Sequence, residues 1–350
     1  MVKRVAFAVP GDLATPTGGY AYDRRMISEL RTLGWQIDVI DLGEGFPWPS
    51  QETRKEAQKR LLEISSGGAI VIDGLALGVM PEAASWLSVR HRLLALVHHP
   101  LALEAGLSVE QADALRDSER TALAAAQGLV VTSAATARIL AADYGVASKR
   151  ITVASPGTDA AAMALGSKDG IVRLLSVGAV TPRKGFDVLI AALATLPDLP
   201  WRLTIAGDRT RDLTAVTQLD ADIARYRMED RVAVLGAVSP QRLEALYTES
   251  DAFVLASRFE GYGMAYAEAI AHGLPVIGTT GGAIPDTVPP EAGLLVPPGD
   301  ISEFAQALRR VVGDRTLRQR LARGAQAAAP LLSTWRQSAE IFARALEALT

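Results

Sequence analysis

Residues 251–280 read "DAFVLASRFEGYGMAYAEAIAHGLPVIGTT". "DAFVLAS" is a short apolar strand and "LPVIGTT" opens another. Between them lie a bend with Gly261 and Gly263 and a helix that begins near Gly263. Strand, crossover helix and strand make the unit of a parallel sheet. Two carboxylates, Glu260 and Glu268, stand with seven residues between them, one before the bend and one in the second helical turn. In a doubly wound sheet, ligands collect beyond the C-terminal strand ends, where this bend lies.

The two glycines let backbone approach a ligand without a Cβ in the way. The N–H groups of the helix start suit a phosphate. Wholly helical spacing would separate the two glutamates by about 12 Å along the axis. A carboxylate can accept bonds from both hydroxyls of a vicinal diol. Together these features describe a clamp on a nucleotide-sugar. The plainer alternative is a surface helix with solvated glutamates.

The same alternation runs along the chain. "RVAFAVP", "WQIDVIDL", "AIVIDG", "RLLALVHH", "GLVVTS" and "RITVASPG" alternate with helical patterns, including a charged helix around Glu52–Glu63 and a long one from about Leu103 to Ala126. "GTDAAAMALGSKDG", Gly157–Gly170, has no strong period and reads as an interdomain connection. The alternation restarts with "IVRLLSVGAV", "WRLTIAGD", "RVAVLGAV" and "GLLVPPGD". Short apolar strands between amphipathic helices imply parallel sheets covered on both faces. The expectation is an α/β chain of two doubly wound Rossmann-like domains, 1–160 and 171–330, facing each other across a cleft. In the last stretch, Trp335, Ala339, Phe342, Ala343, Leu346 and Leu349 recur at near-helical spacing. That stripe must be buried, either by a helix 334–350 packing back on the first domain or in a dimer.

Composition narrows the function. The 350 residues are 49% apolar and 21% charged, with a net charge of -3, so no basic footprint for nucleic acid exists. Without cysteine, disulfides and thiolate metal sites are excluded, and a reducing compartment is permitted. "MVKRVAFAVPGD" reads as a buried strand rather than a signal segment, and "GAIVIDGLALGVM" is too short to span a membrane. The expected location is cytoplasmic. Peripheral contact with the inner membrane face stays open.

The second half resembles the family 4 retaining glycosyltransferases, the glycosyl transferases group 1 proteins of the GT-B fold. The resemblance rests on "FEGYGMAYAEAIAHGLPVIGTTGGAIPDTV", "GLLVPPGD" and "VGAVTPRKGFDVLIAAL". The first half matches more loosely, through "TGGYAYDRRMISEL", "LVHHP", "VVTSAATARIL" and "PGTD". The resemblance implies transfer of a hexose from a UDP- or GDP-linked sugar to a hydroxyl of a glycan, lipid or small molecule, as in cell-envelope polysaccharide or glycolipid synthesis. It implies no cofactor beyond the nucleotide-sugar substrate and no metal.

By position, the resemblance gives Glu260 the donor-sugar hydroxyls, Glu268 the ribose and Lys184 the diphosphate. Backbone near Gly261, Gly263 and Met264 would complete the phosphate cradle. Gly18 and Gly19 would form a loop of the first domain near the donor or acceptor. His98 would stand by the reacting sugar, with His99 as the fallback. Many relatives carry an arginine where this chain has Ala179. Arg183 either replaces it or points to solvent. A solvated loop lysine is the plain alternative for Lys184, and a structural imidazole for His98. His272 reads as a helix-end structural residue. "DAD" at 220–222 resembles a metal-binding string but lies on a helix face. Gly281 and Gly282 fit either backbone contact with the donor or a purely conformational role.

Two other classes are weighed: a nucleotide-sugar-binding GT-B protein without transferase activity, and a GT-B nucleotide-sugar epimerase. A nicotinamide oxidoreductase would need G-x-G-x-x-G after a strand, a spacing that "PGDLATPTGGY" lacks.

Overall fold

The computed structural model describes residues 3–349. The chain divides into two compact units, one running to Gly157 and resuming at Ser333, the other Thr158–Leu332. Residues 1–2 and 350 of the expected first-domain spans lie outside the described residues.

The first unit holds β1 (Arg4–Val9), β2 (Gln36–Asp41), β3 (Ala69–Asp73), β4 (Arg92–Val97), β5 (Gly128–Val131) and β6 (Ile151–Val153). They pair in parallel in the order β2-β1-β3-β4-β5-β6. Every residue of β3 and β5 is buried, which is why Ala69–Ile72 and Gly128–Val131 read as short apolar runs. The order reverses between β1 and β3, the kind of edge at which loops diverge and ligands collect.

The second unit holds β7 (Val172–Val177), β8 (Trp201–Ala206), β9 (Val232–Val234), β10 (Ala252–Val254), β11 (Val276–Thr279) and β12 (Gly293–Val296). The order is β12-β11-β10-β7-β8-β9, again all parallel. Its reversal falls between β7 and β10. Two phrases prominent in the sequence, "TPRKG" and "SRFEGYG", leave those two strands.

Helix Trp335–Glu347 belongs to the first unit. Its buried side chains include Trp335, Phe342 and Leu346. Phe342 packs on Phe7 of β1, ring centres 6.3 Å apart, and Trp335 lies 6.0 Å from Tyr22. Gly157 permits this crossing: a Cβ there would stand 2.1 Å from the Trp335 amide nitrogen.

Two boundaries differ from the sequence reading. The long helix expected from Leu103 begins at Val109, because Ser108 and Gln111 form a reciprocal capping box. Gly18 and Gly19 open helix Gly18–Thr32 rather than a loop, because the Thr17 side chain accepts from Tyr20 N and starts the helix there. Among the described residues no helix is long and apolar enough to cross a membrane.

Helix Val109–Ala125 also supports the turn that follows His98. Its Glu119 is fully buried and accepts from Leu101 N at 3.0 Å. Burial pushes the Glu119 carboxyl up to about 8. The folded chain therefore holds this proton more tightly than the unfolded chain, and stability falls as pH rises from about 4.5 towards 8. Glu119→Gln should remove that loss. Thermal unfolding should show a Tm advantage for the variant that is larger at pH 9 than at pH 5. A constant difference across pH would contradict the assignment.

Candidate functional site

The site in the second unit begins where β7 ends. The chain passes Gly178, turns through Pro182–Lys184 and continues at Gly185 in the left-handed region, φ +64°. A Cβ on Gly185 would lie 2.0 Å from Ala256 O, just past β10. Glycine there lets the two loops touch. Arg258 N donates to Arg183 O at 2.8 Å, and the Arg258 guanidinium pairs with Asp187 at 2.7 Å, locking the same contact.

Lys184 and Arg183 both turn onto Glu260. Lys184 Nζ is 2.6 Å from Oε1 and an Arg183 nitrogen 3.0 Å from Oε2, while Ser257 Oγ donates to Oε1 at 2.6 Å. Arg183 also donates to Phe259 O, so its guanidinium points at the site rather than away. Glu260 is 6% exposed. Burial alone would raise its carboxyl, but Lys184 and Arg183 outweigh burial and hold it down to about 2. The result is a buried carboxylate, ionised throughout the neutral range, with two cations fixed against it.

The backbone of Glu260 is fixed from the other side. It bridges Gly282, and Ala283 N donates to Glu260 O at 2.8 Å. A Cβ on Gly282 would stand 2.3 Å from Glu260 O, and one on Gly281 2.3 Å from Arg258 O. Close backbone approach thus accounts for both glycines.

Gly261 follows Glu260, and Gly263, at φ +91°, caps helix Met264–Ala271. A glycine cap brings no side-chain oxygen to the first turn, which starts at Met264. Glu268 faces Tyr247, whose hydroxyl donates to Oε2 at 2.8 Å. Burial raises the Glu268 carboxyl. Tyr247 stacks flat on His272, ring centres 4.7 Å apart, and His272 bonds Ala162 O through Nδ1 at 2.8 Å. His272 thus braces the residue that orients Glu268.

The structure brings Arg183, Lys184 and Glu260 into contact and sets Gly261, Gly263, Met264 and Glu268 on the adjoining bend and helix. Gly18, Gly19 and His98 gather in the first unit, where a Cβ on Gly19 would stand 3.3 Å from His98 Cδ2. His98 meets Asp23 and Asp73, whereas His99 pairs with Glu104 at 3.2 Å. Of the "DAD" string, Asp220 pairs with Arg209 and Asp222 turns inward to accept from Gln218. The two do not converge on a common point.

Sequence reading overlooks four residues here: Ser257, Tyr247, Asp23 and Asp73. Asp23 leaves one signal, a carboxylate on a helical face whose other buried members are Tyr22, Met26, Ile27 and Leu30. Tyr247 leaves none, since it reads as an ordinary apolar helix position.

The family profile described as Glycosyl transferases group 1 matches residues 161–328. D-inositol 3-phosphate glycosyltransferase of Xylanimonas cellulosilytica is 31% identical over 269 residues, 70% of this chain and 64% of that protein. The chain thus spans less than two thirds of that relative's length. Sucrose-phosphate synthase from Thermosynechococcus elongatus superposes with a TM-score of 0.81 at 20% identity, covering 99% of each chain. Anabaena HepE in complex with UDP-glucose superposes at 0.77 with 18% identity, covering 99% of each. The likeness to the solved structures shows the fold, GT-B.

Proposed function

We propose that this chain, whose residues 161–328 belong to the glycosyl transferases group 1 family, moves a hexose from a nucleotide diphosphate sugar to a hydroxyl acceptor with retained anomeric configuration. The observation that carries the reading is the meeting of Lys184, Arg183 and Glu260 where the strand order reverses between β7 and β10. Small ligands bind at such switch points. A fixed pair of cations there suits a diphosphate, and an ionised carboxylate beside them suits sugar hydroxyls.

The residue roles are those the resemblance implies, and the geometry is compatible with them. Lys184 and Arg183 meet the diphosphate, with the first turn from Met264 offering backbone N–H groups, so that protein cations rather than an ion balance the leaving charge. Glu260 orients the sugar. Glu268, held by Tyr247, takes the ribose hydroxyls. In the reaction the bond from the anomeric carbon to the phosphate oxygen breaks, and its electron pair leaves with the nucleoside diphosphate. The acceptor oxygen bonds the same carbon on the same face, and its proton passes to the departing phosphate. Cations fixed where charge develops lower the barrier without reorganising. His98 serves as a hydrogen-bond donor to a substrate oxygen rather than as a base. The UDP-glucose bound by HepE supports a nucleotide-hexose donor, and the name of the Xylanimonas relative supports glycosyl transfer.

A panel of UDP-, GDP- and ADP-hexoses with hydroxyl acceptors tests this. One donor class should release nucleoside diphosphate, and NMR of the product should show the donor's anomeric configuration. Inversion would refute retention, and no release from any donor would refute the activity.

A further inference from the structure

The first unit carries a charged cluster of which the function proposed above uses only His98. It lies at the C-terminal sheet edge, where the order reverses between β1 and β3. Asp23 comes from helix Gly18–Thr32, Asp73 from the end of β3, and His98 directly follows β4. His98 Nε2 lies 3.2 Å from Asp23 Oδ1 and 3.4 Å from Asp73 Oδ2. Asp23 is 0% exposed and Asp73 3%.

Two carboxylates at this depth repel unless a cation or a proton stands between them. The group placed to supply both is the imidazole. The carboxylates are not equivalent. Asp73 Oδ1 accepts from Leu75 N at 2.7 Å, which caps the short helix Gly74–Leu77 and aims Oδ2 at the ring. Asp23 has no backbone donor of this kind; both its oxygens, like His98 Nε2, are buried without a hydrogen-bond partner, so its tie to the ring is the ion pair at 3.2 Å. What faces it is His98 and Asp73. The remaining titratable neighbour, Tyr22, meets the imidazole edge-on at 5.4 Å and turns its hydroxyl away to Ala154 O.

The ring's orientation follows from its surroundings. Nε2 is sealed, and Gly19 lies against Cδ2. The side chain nonetheless keeps 18% exposure. Its open edge is therefore the one bearing Nδ1 and Cε1.

We propose that Asp23 and Asp73 are positioning residues that hold their charge against His98 Nε2, keep the ring an imidazolium, and so present Nδ1–H outward as a fixed donor to a substrate oxygen. Only the identity of that oxygen as part of a sugar-transfer substrate rests on the function proposed above; the grip itself does not. A ring held this way has no lone pair to offer, so it orients or polarises and cannot accept the acceptor's proton. Burial would lower the His98 value, but Asp23 and Asp73 push it up to about 10. Asp73 is held below its ordinary value by His98 and by Leu75 N despite burial, and burial raises Asp23. The donor form thus persists from acid conditions to well above neutrality.

Nitrogen-15 NMR of the histidine rings tests the grip on the whole chain without any substrate. The chain has four histidines, and His98→Gln identifies the relevant signals. In the wild type both His98 nitrogens should stay protonated between pH 6 and 9. In Asp23→Asn and in Asp73→Asn the ring should titrate at least one pH unit lower. If one variant fails to fold, the other reports alone. Under the same reading kcat/KM for the best nucleotide-sugar is flat from pH 6 to 9 in the wild type. In the asparagine variants it falls as pH rises, through kcat, with nucleoside diphosphate affinity unchanged. A neutral His98 at pH 7, or asparagine variants that titrate like the wild type, would overturn the proposal. So would stoichiometric Zn²⁺ binding that displaces the Nε2 proton, since the three atoms lie within 4.8 Å of one another. A protein with the NMR signature but no sugar transfer would keep the grip and refute the transferase reading.

Discussion

Glu260→Gln is expected to lower sugar transfer roughly 10²- to 10³-fold while changing nucleoside diphosphate affinity less than about tenfold. Glutamine nearly preserves the shape of Glu260 and can still accept from Ser257. It cannot carry the charge that balances Lys184 and Arg183, 2.6 and 3.0 Å away. Truncating a buried ion cluster on one side costs about 3–5 kcal/mol because the remaining charges lose their partner. Here the uncompensated groups are cations, which a diphosphate can itself neutralise, so binding of the nucleotide survives. On the proposed reading the sugar, oriented through the carboxylate, is what loses its place. Steady-state kinetics beside titration with nucleoside diphosphate would separate the two effects. Equal loss of both would mean that Glu260 serves only to build the phosphate site.

Lys184→Met should cost roughly 10²- to 10³-fold in kcat, about 3–4 kcal/mol of transition-state stabilisation. On the proposed reading the ammonium stands where negative charge grows as the diphosphate departs. The substitution acts twice, since Glu260 loses the nearer of its two cations and its carboxyl rises from about 2. Arg183→Met should cost less: Arg183 lies farther from Glu260 and shares its donors with Phe259 O. The two losses should not add, because both residues act on one carboxylate and one leaving group. A Lys184→Met enzyme with wild-type kcat would remove the lysine from the reaction.

The strands and the donor phrase were legible in the sequence for a physical reason. Parallel strands covered on both faces must be apolar throughout, so Ala69–Ile72 and Leu93–Val97 stand out. Loops at a switch point need glycine where chains press together, so Gly185, Gly263 and Gly282 mark them. Which side chains meet there is harder to read. Lys184 and Glu260 are 76 residues apart and touch only because the strand order puts β7 beside β10. Periodicity sees Asp73 merely as a break in an apolar run, although it ends β3 facing His98. The choice between His98 and His99 was equally closed to it. Their partners differ, with His98 against two buried carboxylates and His99 on a partly open Glu104.

Isothermal titration of UDP, GDP and ADP into wild type, Lys184→Met and Glu268→Gln tests the central claim most directly, that the β7–β10 edge grips a nucleoside diphosphate. One of the three nucleotides should bind the wild type with one-to-one stoichiometry. Each substitution should weaken that binding about tenfold or more, the usual consequence of losing a charged hydrogen bond. Glu268→Gln should lose nothing further when the ribose is replaced by 2′,3′-dideoxyribose, whereas the wild type should. No binding of any nucleotide, or both variants binding as tightly as the wild type, would contradict the account.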